Sequence, residues 1–397
     1  MWLRVKTWIS QHNFSSRYQS IAYTFTNFFV ALIALNMLLG LFLRLTDTSS
    51  EAGLARSQVD LRAYHGLPSE RLRQVLNDFD DFAAMGSVYR PYTQIGDPPF
   101  ESASLNVLRD DYGFEYRKGT SPEIADAPIR IFLFGGSTSF GVHLADEWTL
   151  GAKLQEILGE GVSVRNYSVR GFSWYQAHIL FQRLLHAGNT PQLAIFIDGT
   201  SIQNNGWSRN YPTSTWKAAR LWEETQQGVR HTNLPEFIPL FRVLNILNRN
   251  RVEKKMSWVM EKRYAYLKDK PDLKTEAKKT KVSYLETLHQ REAVATAFGV
   301  TPYFVWQPNA AYECTKENQA PEEYSQIVPE VYKNMRGVRE KRFLNLSSLC
   351  KQSKVEGPLF VDNLHYSPAF TEEIAQAIAV EIRRDYKGLR QLASNPS

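Results

Sequence analysis

A serine, a histidine and a carboxylate are the side chains that most directly suggest chemistry in this sequence. "IRIFLFGGSTSFGV" (129–142) runs branched and aromatic residues into two glycines, and Ser137 stands at the exit. A serine at a strand-to-helix junction can serve as a nucleophile, because small neighbours let a carbonyl approach and unpaired backbone N–H groups face it. The alternative is a plain helix cap. Near the other end, "FVDNLHYSPAF" places Asp362 three residues before His365. A carboxylate that close can hold one imidazole nitrogen so that the other takes a hydroxyl proton; a capped turn with a surface ion pair would look the same. Between them, "NYSVRGFSWYQ" sets Asn166 at a strand exit and Gly171 in the next loop. Gly171 would give a backbone donor to a developing oxyanion, or would simply permit a positive φ.

Other glycine-rich chemistries do not fit residues 135–141. The phosphate-binding lysine of a G-x-x-x-x-G-K-[ST] loop is missing, since Val142 follows Gly141, and no register supplies G-x-G-x-x-G. The nucleophile elbow G-x-S-x-G fails because Ser139 occupies its last position. Among the histidines, His178 and His186 lie on one expected helix without an acid at ligand spacing, so they and His289 read as ordinary helix residues and no metal is expected. His143 could line the pocket or be a loop residue.

These groups need a frame that brings them to one edge. Short apolar runs, "IRIFLF" (129–134), "VSVRNYS" (162–168), "LAIFID" (193–198), "TPYFVWQ" (301–307) and "RFLNLS" (342–347), alternate with helical stretches, the last within "SPAFTEEIAQAIAVEIRRDY". Strands apolar on both faces and separated by helices predict a parallel sheet covered on each side. Reactive groups then collect at the carboxyl ends of the strands, which places Ser137, Gly171, Asp198 and Gln307 on one rim. Residues 207–298 are too long for an ordinary crossover and read as a helical insertion over or beside that rim. Residues 44–124 read as a juxtamembrane stalk or cap, with an amphipathic helix in "SERLRQVLNDFDDFAAM" and no evident chemistry.

Composition bounds the partners. The chain has 397 residues, enough for a full core with appendages. Its 47 basic and 41 acidic residues give a net charge of +6 that is spread along the sequence. No basic-aromatic module accompanies that charge, so no nucleic-acid partner is expected. Residues 21–43 carry no charged side chain and have the length to span a hydrocarbon core, against the alternatives of a buried helix or a signal peptide. Arg4, Lys6 and Arg17 precede this span, while Arg44 follows it with Asp47 and Glu51 beyond, which orients residues 1–20 to the cytoplasm and the remainder to the periplasmic side of the inner membrane. Cys314 and Cys350 either form one disulfide, which an oxidising compartment permits, or remain two buried thiols.

The ordered set GGST, N-x-S-x-x-G-x-S-x-x-Q, a strand ending in Asp-Gly, and D-x-x-H before the last helix resembles the SGNH, or GDSL-like, hydrolases. It is most similar to their single-span, membrane-anchored bacterial branch associated with surface polysaccharides, and "FVWQP" (304–308) extends the likeness. The resemblance covers roughly residues 125–390, with a short tail after it, and implies an α/β, three-layer, flavodoxin-like fold. It implies Ser137 as nucleophile, His365 as base, Asp362 as its orienting partner, and the N–H groups of Ser137 and Gly171 as oxyanion donors, with no cofactor. Two positions depart from the pattern: Gly136 stands where that family has Asp, and "DGTSIQNN" puts Ser201 where a side-chain amide is usual, leaving Ser201, Asn204 or Asn205 as the third donor. The implied function is a serine esterase or acyltransferase acting on O-acyl, chiefly O-acetyl, groups of an extracytoplasmic polysaccharide or glycolipid, with a membrane acyltransferase or assembly protein as partner. The competing expectations are a catalytically silent envelope protein that binds glycan and a lipid esterase.

Overall fold

A computed structural model describes residues 16–46, 59–119, 127–200, 240, 272–314 and 327–386. The chain divides into two compact units, Met1–Gly53 with Glu224–Lys268, and Leu54–Glu223 with Asp269–Ser397.

In the first unit, helix α1 (Ser16–Thr46) holds an apolar stretch, Tyr18–Leu41, of 24 residues with a mean hydropathy of 1.8. That stretch is long and apolar enough to cross a membrane, and a signal sequence would share the property. Three of its polar side chains donate to the helix's own backbone: the Thr24 and Thr26 hydroxyls to the Ser20 and Ala22 carbonyls, and the Asn36 amide to the Leu32 carbonyl. This local bonding spares them the cost of unpaired groups in an apolar medium.

The second unit is built on helix α2 (Ser69–Ala84), a hairpin of β1 (Val88–Arg90) and β2 (Gln94–Gly96), and an eight-stranded sheet. The sheet contains β3 (Phe100–Glu101), β4 (Asn106–Arg109), β5 (Glu115–Arg117), β6 (Ile129–Gly135), β7 (Val162–Asn166), β8 (Leu193–Asp198), β9 (Thr301–Trp306) and β10 (Phe343–Asn345). Between them lie α3 (Ser137–Phe140), α4 (Leu150–Leu158), α5 (Trp174–His186), α6 (Leu273–Ala297), α7 (Val328–Met335) and α8 (Leu349–Gln352), with α9 (Pro368–Asp385) last.

The spatial order is β10-β9-β8-β6-β7-β5-β4-β3, with the five strands from β10 to β7 all parallel. This is the flavodoxin-like order expected from the sequence, and the chain reverses direction across the sheet between β6 and β8. Alternation along β6 sorts its side chains by face. Phe132 and Phe134 join Phe196 and Phe304 in an aromatic layer with Phe134–Phe196 and Phe196–Phe304 centroids 5.1 and 5.7 Å apart. Helices α5, α6 and α7 cover that face. Ile131 and Leu133 join Ile195, Ile197 and Val305 on the other face, under α4 and α9. Each of these fully buried side chains contributes about 1.5–3 kcal/mol, so the central strands are fixed from both sides.

Two stretches differ from their sequence reading. Residues 59–119, expected as stalk or cap, supply an antiparallel extension, β5-β4-β3, joined to β7 through Arg117 and Asn166. Its strands are short and polar because their charges are used internally: buried Arg117 pairs with Asp146 and donates to the Leu144 carbonyl at 2.8 Å. Of the expected insertion 207–298, residues 207–239 and 241–271 lie outside the described residues. Its last part, α6, packs Ala277, Tyr284, Leu288 and Ala295 into the aromatic face of the core and is an ordinary covering helix. Cys314 and Cys350 form a disulfide with Cα atoms 5.2 Å apart, joining the segment after β9 to α8.

Candidate active site

Ser137 opens α3 directly beyond the central strand β6. Gly135 is required there, since a Cβ would lie 2.7 Å from the Ile197 carbonyl oxygen and 2.2 Å from Ser139 Oγ. Thr138, Ser139 and Phe140 are buried, whereas Gly136 and Ser137 keep partial access to solvent. The turn is tied down around them: Ser139 Oγ donates to the Gly136 carbonyl at 3.0 Å, and the Asn166 amide at the end of β7 donates to the Ser139 carbonyl at 2.7 Å.

The loop between α8 and α9 brings in the other two groups. An isolated antiparallel bridge pairs Phe360 with Tyr366 and closes the loop 361–365, and Ser367 caps α9 by accepting from the Phe370 N–H at 3.2 Å. Within it, Asp362 Oδ1 accepts the N–H groups of Leu364 and His365 at 2.8 and 2.7 Å. Asp362 Oδ2 lies 2.6 Å from His365 Nδ1, and His365 Nε2 lies 2.9 Å from Ser137 Oγ. The carboxylate fixes the proton on Nδ1, which turns the Nε2 lone pair toward the serine hydroxyl. Burial pushes the Asp362 carboxyl up, but the His365 ring, its hydrogen bond and the nearby His143 more than offset this and hold it well below the usual range. The carboxylate therefore stays charged and balances any positive charge that His365 acquires.

Gly171 lies in a four-residue turn closed by the Phe172 N–H to the Val169 carbonyl at 3.1 Å, with φ +87 that a glycine adopts without strain. Asp97 anchors the turn by accepting the Arg170 N–H at 3.0 Å and Nε at 2.7 Å. A Cβ at Gly136 would stand 3.2 Å from the Phe172 carbonyl oxygen, so this turn abuts the residue before the serine. Ser201, Asn204 and Asn205 lie outside the described residues.

Gln307, expected only as a rim residue, fastens the site from below. Its Oε1 accepts the hydroxyls of Thr138 at 2.7 Å and Tyr366 at 2.8 Å, and its Nε2 donates to Thr200 Oγ1 at 3.1 Å. One buried amide thus links the neighbours of Ser137 and His365 to the end of β8. A polar residue closing an apolar strand is the sequence signal that marked it. Asp198, also on this rim, is buried against Arg291 of α6, which donates as well to the Trp174 carbonyl.

His143 sits beside the triad, its Nε2 3.6 Å from Asp362 Oδ2. Ligand atoms of His143, Asp362 and His365 fall within 4.8 Å of one another, but both ring nitrogens of His365 already face partners. The arrangement therefore suits proton transfer rather than metal chelation.

No protein-family model matches the sequence, and no curated protein matches it either. Among solved structures, a putative acylhydrolase from Bacteroides fragilis is similar at 11% identity and a TM-score of 0.35, over 66% of this chain and 90% of that one. A putative lipolytic protein of the G-D-S-L family from Desulfitobacterium hafniense is similar at 11% identity and a TM-score of 0.33, over 64% and 98%. The aryl esterase of M. smegmatis is similar at 12% identity and a TM-score of 0.32, over 64% and 99%. At such scores, the functional reading rests on the site's own geometry.

Proposed function

We propose that the protein is a membrane-anchored serine esterase or acyltransferase that acts on O-acyl, chiefly O-acetyl, groups of an extracytoplasmic polysaccharide or glycolipid. The observation that carries this reading is the relay of 2.9 Å from Ser137 Oγ to His365 Nε2 and 2.6 Å from His365 Nδ1 to Asp362 Oδ2. Ser137 Oγ attacks the ester carbonyl as His365 Nε2 takes its proton. The oxyanion is received by the N–H groups of Ser137 and Gly171, a contribution of about 2.7–4 kcal/mol for one such donor. His365 returns the proton to the departing sugar oxygen, leaving an acyl-serine that water or a second hydroxyl releases by the same steps in reverse.

An extracytoplasmic location is supported by the uncharged span 21–43, by Arg4, Lys6 and Arg17 before it against Arg44 after it, and by the Cys314–Cys350 bond. The test is acetate release from O-acetylated glycans and hydrolysis of p-nitrophenyl acetate by the full chain in detergent. Wild type should turn over both, and Ser137→Ala should fall to background. Equal rates for the two proteins would reject the reading.

A further inference from the structure

The loop that follows α3 carries a second histidine to the triad carboxylate, and the fold spends several interactions on holding it there. Gly141 ends α3 in the left-handed conformation, with φ +85, and His143 follows with φ +65, a region uncommon outside glycine that histidine enters more readily than most residues. The Tyr64 hydroxyl donates to the His143 carbonyl at 2.9 Å. Burial, then the charge of Asp362, pushes the Tyr64 phenol far above its usual range, so it remains a neutral donor. One and three residues further on, Arg117 grips the same loop through the Leu144 carbonyl and Asp146. The imidazole packs against Phe79, with centroids 5.4 Å apart, and stands edge-on to His365 at 6.0 Å.

The direction of the ring gives this placement its meaning. Its Nδ1 is buried without a partner, while Nε2 faces Asp362 Oδ2, the oxygen that also serves His365 Nδ1. Asp362 Oδ1 is already taken by two backbone N–H groups. With the Nε2–H tautomer of His143, both carboxylate oxygens are oriented from two sides. Burial and then the neighbouring His365 push His143 down to about 4, against the pull of Asp362, so at neutral pH it offers a dipole and does not compete for the relay's charge.

We infer that His143 is a positioning residue that orients the Asp362 carboxylate, and through it His365, for proton transfer at Ser137. The inference rests on the esterase reading above and gives that site a fourth member. At 3.6 Å the contact is longer than a hydrogen bond and acts on Oδ2 as the end of a dipole, which in a buried site still favours one orientation of the carboxylate.

The test compares His143→Phe, which keeps an aromatic ring against Phe79 but removes the donor, with His143→Gln, whose amide restores one. On p-nitrophenyl acetate, the full chain carrying His143→Phe should lose kcat about tenfold or more with KM little changed, and His143→Gln should recover most of the loss. In the proton spectrum of the same preparations, the low-field signal of the His365–Asp362 hydrogen bond, assigned by its disappearance in His365→Gln, should move or broaden in His143→Phe and return in His143→Gln. The inference is overturned if folded His143→Phe matches wild type in both readouts, or if the two substitutions impair the protein equally, which would indicate packing alone. Failure of the esterase reading itself shows separately, as wild type no faster than Ser137→Ala, and the spectrum still decides the role of His143.

Discussion

Gln307 Oε1 accepts the hydroxyl hydrogen of Thr138 at 2.7 Å, which fastens the residue next to Ser137 to the end of β9. Because the same oxygen accepts Tyr366, next to His365, the two halves of the relay share one buried strut. Gln307→Leu would leave the buried Thr138 hydroxyl unpaired, at a cost of about 1–3 kcal/mol, while the Tyr366 hydroxyl keeps the Pro308 carbonyl at 2.8 Å. We expect a lowered thermal midpoint together with a fall in kcat on p-nitrophenyl acetate and an unchanged KM. Circular dichroism melts and steady-state kinetics check the two effects independently.

Asp362→Asn tests the orientation of His365. An asparagine can still present its oxygen to the Leu364 and His365 N–H groups, but it then turns an NH2 toward His365 Nδ1 in place of the acceptor at 2.6 Å. The imidazole must move its proton to Nε2, the side facing Ser137, and lose its function as a base. Turnover should fall about 10⁴-fold with the fold intact.

Stability should depend on pH in two windows. His143 and His178 are both pushed down from 6.5 to about 4, chiefly by burial, with His365 and Arg291 respectively adding to the effect. Between those values the unfolded chain binds more protons than the folded one, so stability rises with pH and is lost as pH falls from about 6.5 toward 4. The depressed Asp362 carboxyl contributes stability that is present above its ordinary value and is lost only at lower pH. Urea midpoints from pH 7.5 to 4 should show the first decline, and His178→Gln should flatten it.

The Arg291–Asp198 pair is buried at both ends. Arg291→Met alone strands a buried carboxylate and should cost about 3–5 kcal/mol, while adding Asp198→Asn should recover much of that loss. Denaturant titrations of the two variants give the comparison.

The central part of the fold was legible because its physics is local. The short, branched and aromatic runs of β6, β8 and β9 are apolar on both faces and read as buried strands, and the helix that Ser367 and Pro368 begin is announced by its cap. Ser137, Asp362 and His365 were readable as chemistry from residue type and order, but their meeting across 228 positions is a consequence of the strand order, which no single motif states. The strands β3, β4 and β5 escaped notice because they are only two to four residues long and carry charges. Arg117 reads as a surface residue until Asp146 is known to meet it. Helix α6 was merged with the stretch before it because its lysine-rich first turns mask the buried face formed by Tyr284 and Leu288. His143 carried no signal beyond its proximity to Ser137, since its partners Tyr64 and Asp362 come from distant parts of the sequence.

The central claim is that Ser137 is a nucleophile activated by His365. It is tested most directly by mass spectrometry of the full chain after exposure to a serine-directed fluorophosphonate. The account predicts one covalent adduct, located on Ser137, absent in Ser137→Ala and formed far more slowly in His365→Gln. An unmodified wild-type protein, or an adduct that persists in Ser137→Ala, would contradict it.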